Sequence, residues 1–429
     1  MSHHLFTKHL VLLCLCVGIA LALPANAAEI DELRDQIKEK AEQIGELEKD
    51  ITTYQNQLTE IGEEKRTLEG EIQTLDISRK KVETDIAVTE RKIDAAGLTI
   101  EELNLEIQAK EENMRLNTDT IGETIRRINE AESQSLAETI LAHDSLSDAW
   151  GDVDTLQQFQ SLLTSDLREL TDLKQELEAA REDLLIQHAE LSNFKSDLSG
   201  QRQVIVANKE EKDQLLTATK NEESNYQALL AEKLRQREQF ARELQAIEEQ
   251  IRIAIDPDSI PNAGSGILQW PLDSVRITQY FGNTPFASAN PQVYKGAGHN
   301  GVDFGASRGS RVKAALSGTV MNTGNTDEVS GCYSYGKWAL IRHNNGLATL
   351  YAHLDVISVT PGQQVATGET VGFSGNTGYS TGPHLHFTVY AAEGVRVERF
   401  TNSINCKNAV IPIAPREAYL NPLSYLPGA

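Results

Sequence analysis

The chain has 429 residues, too many for one ordinary domain and enough for two or three. It carries 63 acidic against 40 basic residues, a formal charge of -23, which excludes a nucleic-acid-binding role. The charge is local: residues 262–429 hold 9 acidic and 11 basic residues, so the acidity belongs to what precedes them.

The N-terminus carries Lys8, an apolar run from Leu10 to Leu21, then Pro24 and Ala25-Asn26-Ala27. A short apolar core ahead of a small-x-small site predicts a signal peptide over residues 1–27. The run falls short of the roughly 20 residues a spanning helix needs. After cleavage only Cys332 and Cys406 remain, and in an exported chain an even pair predicts one disulfide.

No proline occurs between Pro24 and Pro257. Within that stretch Ile, Leu or Met recurs every seventh residue from Ile30 through Leu58 and on to Ile128, with Lys65 and Arg79 as the breaks. A second series, including Leu33, Leu47, Leu68, Leu75, Val82 and Ala96, lies three residues later. This is a coiled-coil seam, about 150 Å long as one straight helix. It stops at residues 131–154, and a new series runs from Leu156 through Leu177 and Leu198 to Ile205. Two arms of similar length, 30–130 and 155–253, around a broken tip predict an antiparallel hairpin over 28–255. A parallel dimer is the competing arrangement.

Residues 256–265 read as a linker by their Pro, Gly, Ser and Asp content. Beyond them the apolar runs are short and β-branched, as in Trp338-Ala339-Leu340-Ile341 and His386-Phe387-Thr388-Val389-Tyr390. Residues 266–429 are therefore expected to form a mostly antiparallel β domain. The fold class is multidomain α + β.

Four of the ten histidines of the chain fall in three short stretches of that domain: His299, His353, His384 and His386. Asp303 follows His299 by four residues. His384 and His386 open a predicted strand, where residues i and i+2 share a face. Leu385 and Phe387 would then pack on the other side. The glycines around His299 and Asp303 point to a loop entering a strand. Imidazole and carboxylate are donors that Zn²⁺ favours, and a catalytic zinc site keeps three protein ligands and one open position. His343 reads as a strand-end turn residue. The Pro361-Gly362 and Gly368-Glu369 turns also suit carrier barrels, but no Lys lies between Trp338 and Cys406 to be modified.

Gly298-His299-Asn300-Gly301-Val302-Asp303, Tyr351-Ala352-His353-Leu354 and Gly382-Pro383-His384-Leu385-His386-Phe387 together resemble the signature stretches of lysostaphin/LytM-type zinc metallopeptidases. So does Ser374-Gly375-Asn376-Thr377-Gly378. The resemblance implies one Zn²⁺ held by His299, Asp303 and His386, with His353 and His384 as catalytic residues. With the coiled coil in front, the chain resembles EnvC-like murein hydrolase activators and PcsB-like division hydrolases. That implies an exported peptidoglycan endopeptidase of the periplasm or cell wall, regulated by its coiled coil through a membrane complex of the ABC-transporter type. The alternative is a non-catalytic activator of cell-wall amidases.

Overall fold

The computed structural model describes residues 24–63, 67–132, 146–248, 263–282, 298–380, 382–401 and 403–428. The chain divides into two compact units. One comprises Met1–Ile44 with Arg91–Ser192, the other Gly45–Glu90 with Asn193–Ala429. Most of the expected signal peptide, tip and linker lies outside the described residues, with Leu136, Ile140 and Leu141 of the tip among them.

Four α-helices carry the heptad region: α1 (Pro24–Glu63), α2 (Leu68–Glu132), α3 (Leu146–Thr219) and α4 (Glu223–Glu248). The expected single arm over 30–130 is therefore two helices, and the second arm is divided as well. In the first unit Arg34 bonds Glu102 at 2.6 Å and Glu106 at 2.9 Å, and Lys40 reaches Asp94 at 3.6 Å. Numbers rise along α1 as they fall along α2, so these segments are antiparallel. The physical reason lies at the start of α2. Thr67 caps the new helix, its Oγ1 accepting the Gly70 N–H at 3.1 Å. Glu223 accepts the Leu68 N–H at 2.8 Å. The α3–α4 break sits at Lys220 and Asn221, both left-handed with φ 51° and 59°. That conformation ends a helix.

The hairpin expectation holds for α2 and α3 in each unit. Lys110 pairs with Glu176 and Glu111 with Arg181 in the first unit, while Glu90 pairs with Arg202 and Asp76 with Lys212 in the second. Seam residues Leu33, Leu68, Leu75, Val82, Ala96, Ile107 and Ile121 are buried.

The β domain is built on an antiparallel sheet. Its central strands are β2 (Val302–Gly305), β9 (His384–Ala391), β6 (Leu347–Ile357), β5 (Lys337–His343) and β4 (Gly318–Asn325), adjacent in that order. Strand β1 (Ile277–Gln279) edges β2, and β7 (Gln364–Val365) edges β4. Strand β8 (Thr370–Ser374) pairs with the end of β6 and with β3 (Arg311–Lys313). One face of the sheet packs Phe304, Tyr351, Leu385, Phe387 and Val389. The other packs Trp338, Leu340, Leu350, Ala352 and Tyr390. A two-stranded ladder, β10 (Arg396–Arg399) with β11 (Val410–Ile413), adjoins a third cluster containing Cys332 and Cys406. Those two cysteines form a disulfide with Cα atoms 4.5 Å apart.

In the second unit the base of the hairpin packs on the β domain. Val82 of α2 and Val204 of α3 share a buried cluster with Val356 and Phe373. Asp197 pairs with Arg311 at 3.3 Å and accepts the Thr370 hydroxyl at 2.8 Å. Glu211 meets Arg308 at 2.5 Å.

Candidate metal centre and active site

Register brings the five singled-out residues together. On β9, His386 lies opposite Asp303 of β2 on one side and Ala352 of β6 on the other. His384 lies opposite Gly305. His299 sits just before β2, in an isolated bridge with Gly282. As alternation requires, Leu385 and Phe387 enter the core of the opposite face.

His299 Nε2, Asp303 Oδ1 and His386 Nδ1 converge: all three lie within 4.8 Å of one another. The individual distances are 3.2 Å from His299 to His386, 2.8 Å from His386 to Asp303 and 3.4 Å from His299 to Asp303. Ligands about 2.0–2.1 Å from a tetrahedral zinc would stand about 3.3–3.4 Å apart, so the donor set fits such an ion. The far ring nitrogens are engaged too. His299 Nδ1 donates to the Tyr280 carbonyl at 3.1 Å, which leaves Nε2 as a lone-pair donor. His386 Nε2 lies 2.9 Å from Thr388 Oγ1. Partners of this kind fix the tautomer of a ligating imidazole.

Burial alone would raise the Asp303 carboxyl. The adjacent His299, His384 and His386 imidazoles outweigh it and hold the carboxyl well below its ordinary range. The group therefore stays an anion, the form a metal needs.

His353 has φ 61°, a left-handed conformation uncommon outside glycine. It stands where β6 breaks register. Ala352 is the last β6 residue paired with β9, and the β5–β6 ladder shifts between Ala339–Tyr351 and Lys337–Leu354. Such bulges re-aim side chains beside active sites. Here the peptide is held by the Tyr335 carbonyl, which accepts the His353 N–H, and by the Gly375 N–H, which donates to the His353 carbonyl, both at 2.9 Å. His353 Nδ1 donates to the Thr377 carbonyl at 2.9 Å. Burial, then the neighbouring His384 and His386 imidazoles, push this imidazole well below its usual pKa, so it is neutral at pH 7. His384 Nδ1 donates to the Gly382 carbonyl at 2.9 Å, and its Nε2 lies 3.7 Å from Asp303 Oδ1. The His353 and His384 rings are 4.6 Å apart.

Sequence reasoning missed Tyr335. Its hydroxyl accepts from Asn300 at 3.1 Å and its ring lies 5.9 Å from that of His386. The only signal for it was its place in the Cys332–Gly336 run between two strands. His343 is the last residue of β5, before the turn at residues 344–345, and it is buried. Its Nδ1 donates to the Ser317 carbonyl at 3.0 Å and its Nε2 lies 2.9 Å from Thr349 Oγ1.

An antiparallel sheet that presents two imidazoles and a carboxylate to one point, with two more imidazoles beside it, is the architecture of a metallopeptidase. Residues 297–399 match the model of peptidase family M23, and the chain carries an M23 domain of the lysostaphin/LytM type behind its helices. Three curated relatives illustrate the likeness. The DD-carboxypeptidase/endopeptidase Mpg of Neisseria meningitidis is 39% identical over 117 residues, 27% of this chain and 25% of that protein. The peptidoglycan DD-endopeptidase ShyA of Vibrio cholerae is 34% identical over 147 residues, 34% of this chain and 30% of that protein. The glycyl-glycine endopeptidase ALE-1 of Staphylococcus capitis is 35% identical over 124 residues, 29% of this chain and 30% of that protein. This chain thus spans under a third of the length of each.

Proposed function

We propose that the chain is an exported zinc metalloendopeptidase that hydrolyses peptide bonds in peptidoglycan stems or cross-links during wall remodelling or division. The convergence of His299, Asp303 and His386 on one point, with His353 and His384 alongside, carries the reading. Those three would hold the ion. When bound, zinc polarises a carbonyl and acidifies water, whose pKa falls to about 7.

The remaining chemistry belongs to the two other imidazoles. With Nδ1 given to the Thr377 and Gly382 carbonyls, His353 and His384 each keep Nε2 as the working atom. In the neutral form that atom accepts a proton. Once protonated it donates to the developing oxyanion or to the leaving amine.

Export is supported by the apolar run at residues 10–21 and by the Cys332–Cys406 disulfide, which suits an oxidising compartment. Control by the helices is supported by the packing of the hairpin base on the β domain. A membrane complex of transporter type is the proposed partner of the hairpin.

The test is zinc analysis and turnover of purified peptidoglycan by the full-length protein. One zinc per chain and newly cleaved peptides are expected. His386→Ala should lose metal and turnover together. His384→Ala should keep the metal and lower turnover by about 10³-fold. A chain without zinc that cleaves nothing, yet stimulates a cell-wall amidase, would transfer the case to the activator reading.

A further inference from the structure

Arg308 sits on the loop between β2 and β3 and Asp355 on β6. Both side chains are almost fully buried, at 3% and 0% exposure. Arg308 grips Asp355 with Nε on one carboxylate oxygen and Nη2 on the other, the latter at 2.9 Å. The chemistry proposed above does not use this pair.

Its position connects it to that chemistry. Asp355 follows His353 by two residues. Its carboxylate lies directly against Gly375, where any Cβ would overlap Oδ1. The Gly375 N–H donates to the His353 carbonyl, and Gly375 also bridges to His384. One glycine therefore holds the backbones of both imidazole residues, and the Asp355 carboxylate sets where that glycine sits. Lys337 Nζ fixes the Asp355 carbonyl from the other side at 2.7 Å. From the hairpin, Glu211 of α3 reaches the same Arg308 Nη2 that holds Asp355.

We propose that Arg308 and Asp355 are positioning residues for His353 and His384, latched from the helical hairpin by Glu211. A docked hairpin then supports the catalytic arrangement rather than merely covering it, and a partner that pulls α3 away loosens both imidazoles at once. Of the three metal donors, Asp303 lies on β2, His386 on β9 and His299 just before β2, outside the run from Glu211 through Arg308 and Asp355 to Gly375. The inference rests on the reading of His353 and His384 as the proton-handling groups.

The experiment uses the full-length protein with Glu211→Gln, Glu211→Asp and Asp355→Asn. Steady-state kinetics on a purified cross-linked muropeptide, zinc content and imidazole ¹H–¹⁵N spectra are recorded for each. Asp355→Asn should lower kcat by about 100-fold, the scale of a small misplacement of a catalytic group. Glu211→Gln should lower it by about tenfold, with KM changed less than about twofold and zinc retained. Glu211→Asp should recover most of that loss. The His353 and His384 ring signals should move in Glu211→Gln, while those of His343, bonded elsewhere to Ser317 and Thr349, should not. Should Asp355→Asn not fold, Glu211→Gln decides alone. Unmoved His353 and His384 signals in Glu211→Gln overturn the proposal. So does a fall in kcat that only follows lost zinc. If the unaltered protein cleaves nothing, the endopeptidase reading fails, while the spectra still decide whether Glu211 positions the two rings.

Discussion

The two halves of α3 have the same kind of sequence and different surroundings. Along residues 157–192, in the first unit, only Leu177 and Ala180 are buried, and Leu162, Leu167, Leu185 and Ile186 are exposed. Leu163, Leu170, Leu184 and Leu191 of the seam are half-buried. Along residues 193–212, in the second unit, the buried residues are Asp197, Gly200, Gln201, Val204 and Asn208, while the seam residues Leu198 and Ile205 are only half-buried. The heptad position of Ala180 stays buried at Gln201 and Asn208, while that of Leu177 gives way to the residue before it, at Asp197 and Val204. A helix with one helical partner buries one narrow seam. Between α2 and the β domain it buries a wider face, and polar groups enter that face because each finds a partner. Asp197 has Arg311 and Thr370, and Asn208 donates to the Leu75 carbonyl at 3.1 Å. Stability should therefore be local and additive in the first half and shared with the sheet in the second.

The sharpest way to break this contrast is to empty the shared cluster. Phe373 is fully buried against Val82, Val204 and Val356. Phe373→Ala should cost about 3–5 kcal/mol. Hydrogen exchange read by segment should show protection lost in β8 and in residues 193–212, and kept in 157–192. The control is Leu185→Ala, 71% exposed in the unaltered protein, expected to change stability by less than about 0.5 kcal/mol. Equal loss of protection along the whole of α3 would mean that the helix responds as one body and the contrast is wrong.

A smaller effect is expected from the charged contact. The Asp197 side chain is 8% exposed and Arg311 33%. Asp197→Ala removes the acceptor of both Arg311 and Thr370, and should cost about 1.5–3 kcal/mol. Denaturant unfolding of the full-length protein, followed by a probe in the β domain, measures it. A change below about 0.5 kcal/mol would show that water replaces the carboxylate freely, as at an exposed site.

The legibility of the sequence follows the same division. A seven-residue repeat is a one-dimensional signal, so the antiparallel helices could be read, yet its phase says nothing about a second partner. Asp197, Gly200 and Asn208 stand off that repeat, so it gave no sign that they would be buried. The fold-back of α1 was missed because heptads resume in phase after Lys65, and periodicity does not distinguish a continuous helix from two. In the β domain the site residues were visible because His and Asp stand among glycines at strand ends. Strand β6 was harder, since residues 347–356 are buried on both faces and show no alternation. Arg308 and Asp355 carried no local signal at all, and Tyr335 only its place between two strands: what singles them out is the group each meets after a long excursion of the chain.

The finest test uses two glycines. In an isolated helix Gly→Ala stabilises by about 0.5–1 kcal/mol, because alanine has less backbone entropy to lose. Gly122 of α2 lies in the first unit and a Cβ there would meet nothing within 4 Å, so Gly122→Ala should show that gain. Gly200 of α3 lies in the second unit, and a Cβ there would overlap the ring of Phe373. The ring is buried in close-packed surroundings and has little room to retreat. Overpacking of this kind costs about 1–3 kcal/mol, which exceeds the propensity gain. Gly200→Ala should therefore destabilise by about 1 kcal/mol or more. The same substitution would then have opposite signs in the two units. Segment-resolved hydrogen exchange measures both variants. If Gly200→Ala stabilises as Gly122→Ala does, helix and sheet are not in contact at Phe373 in solution, and the base of α3 has only α2 for a partner.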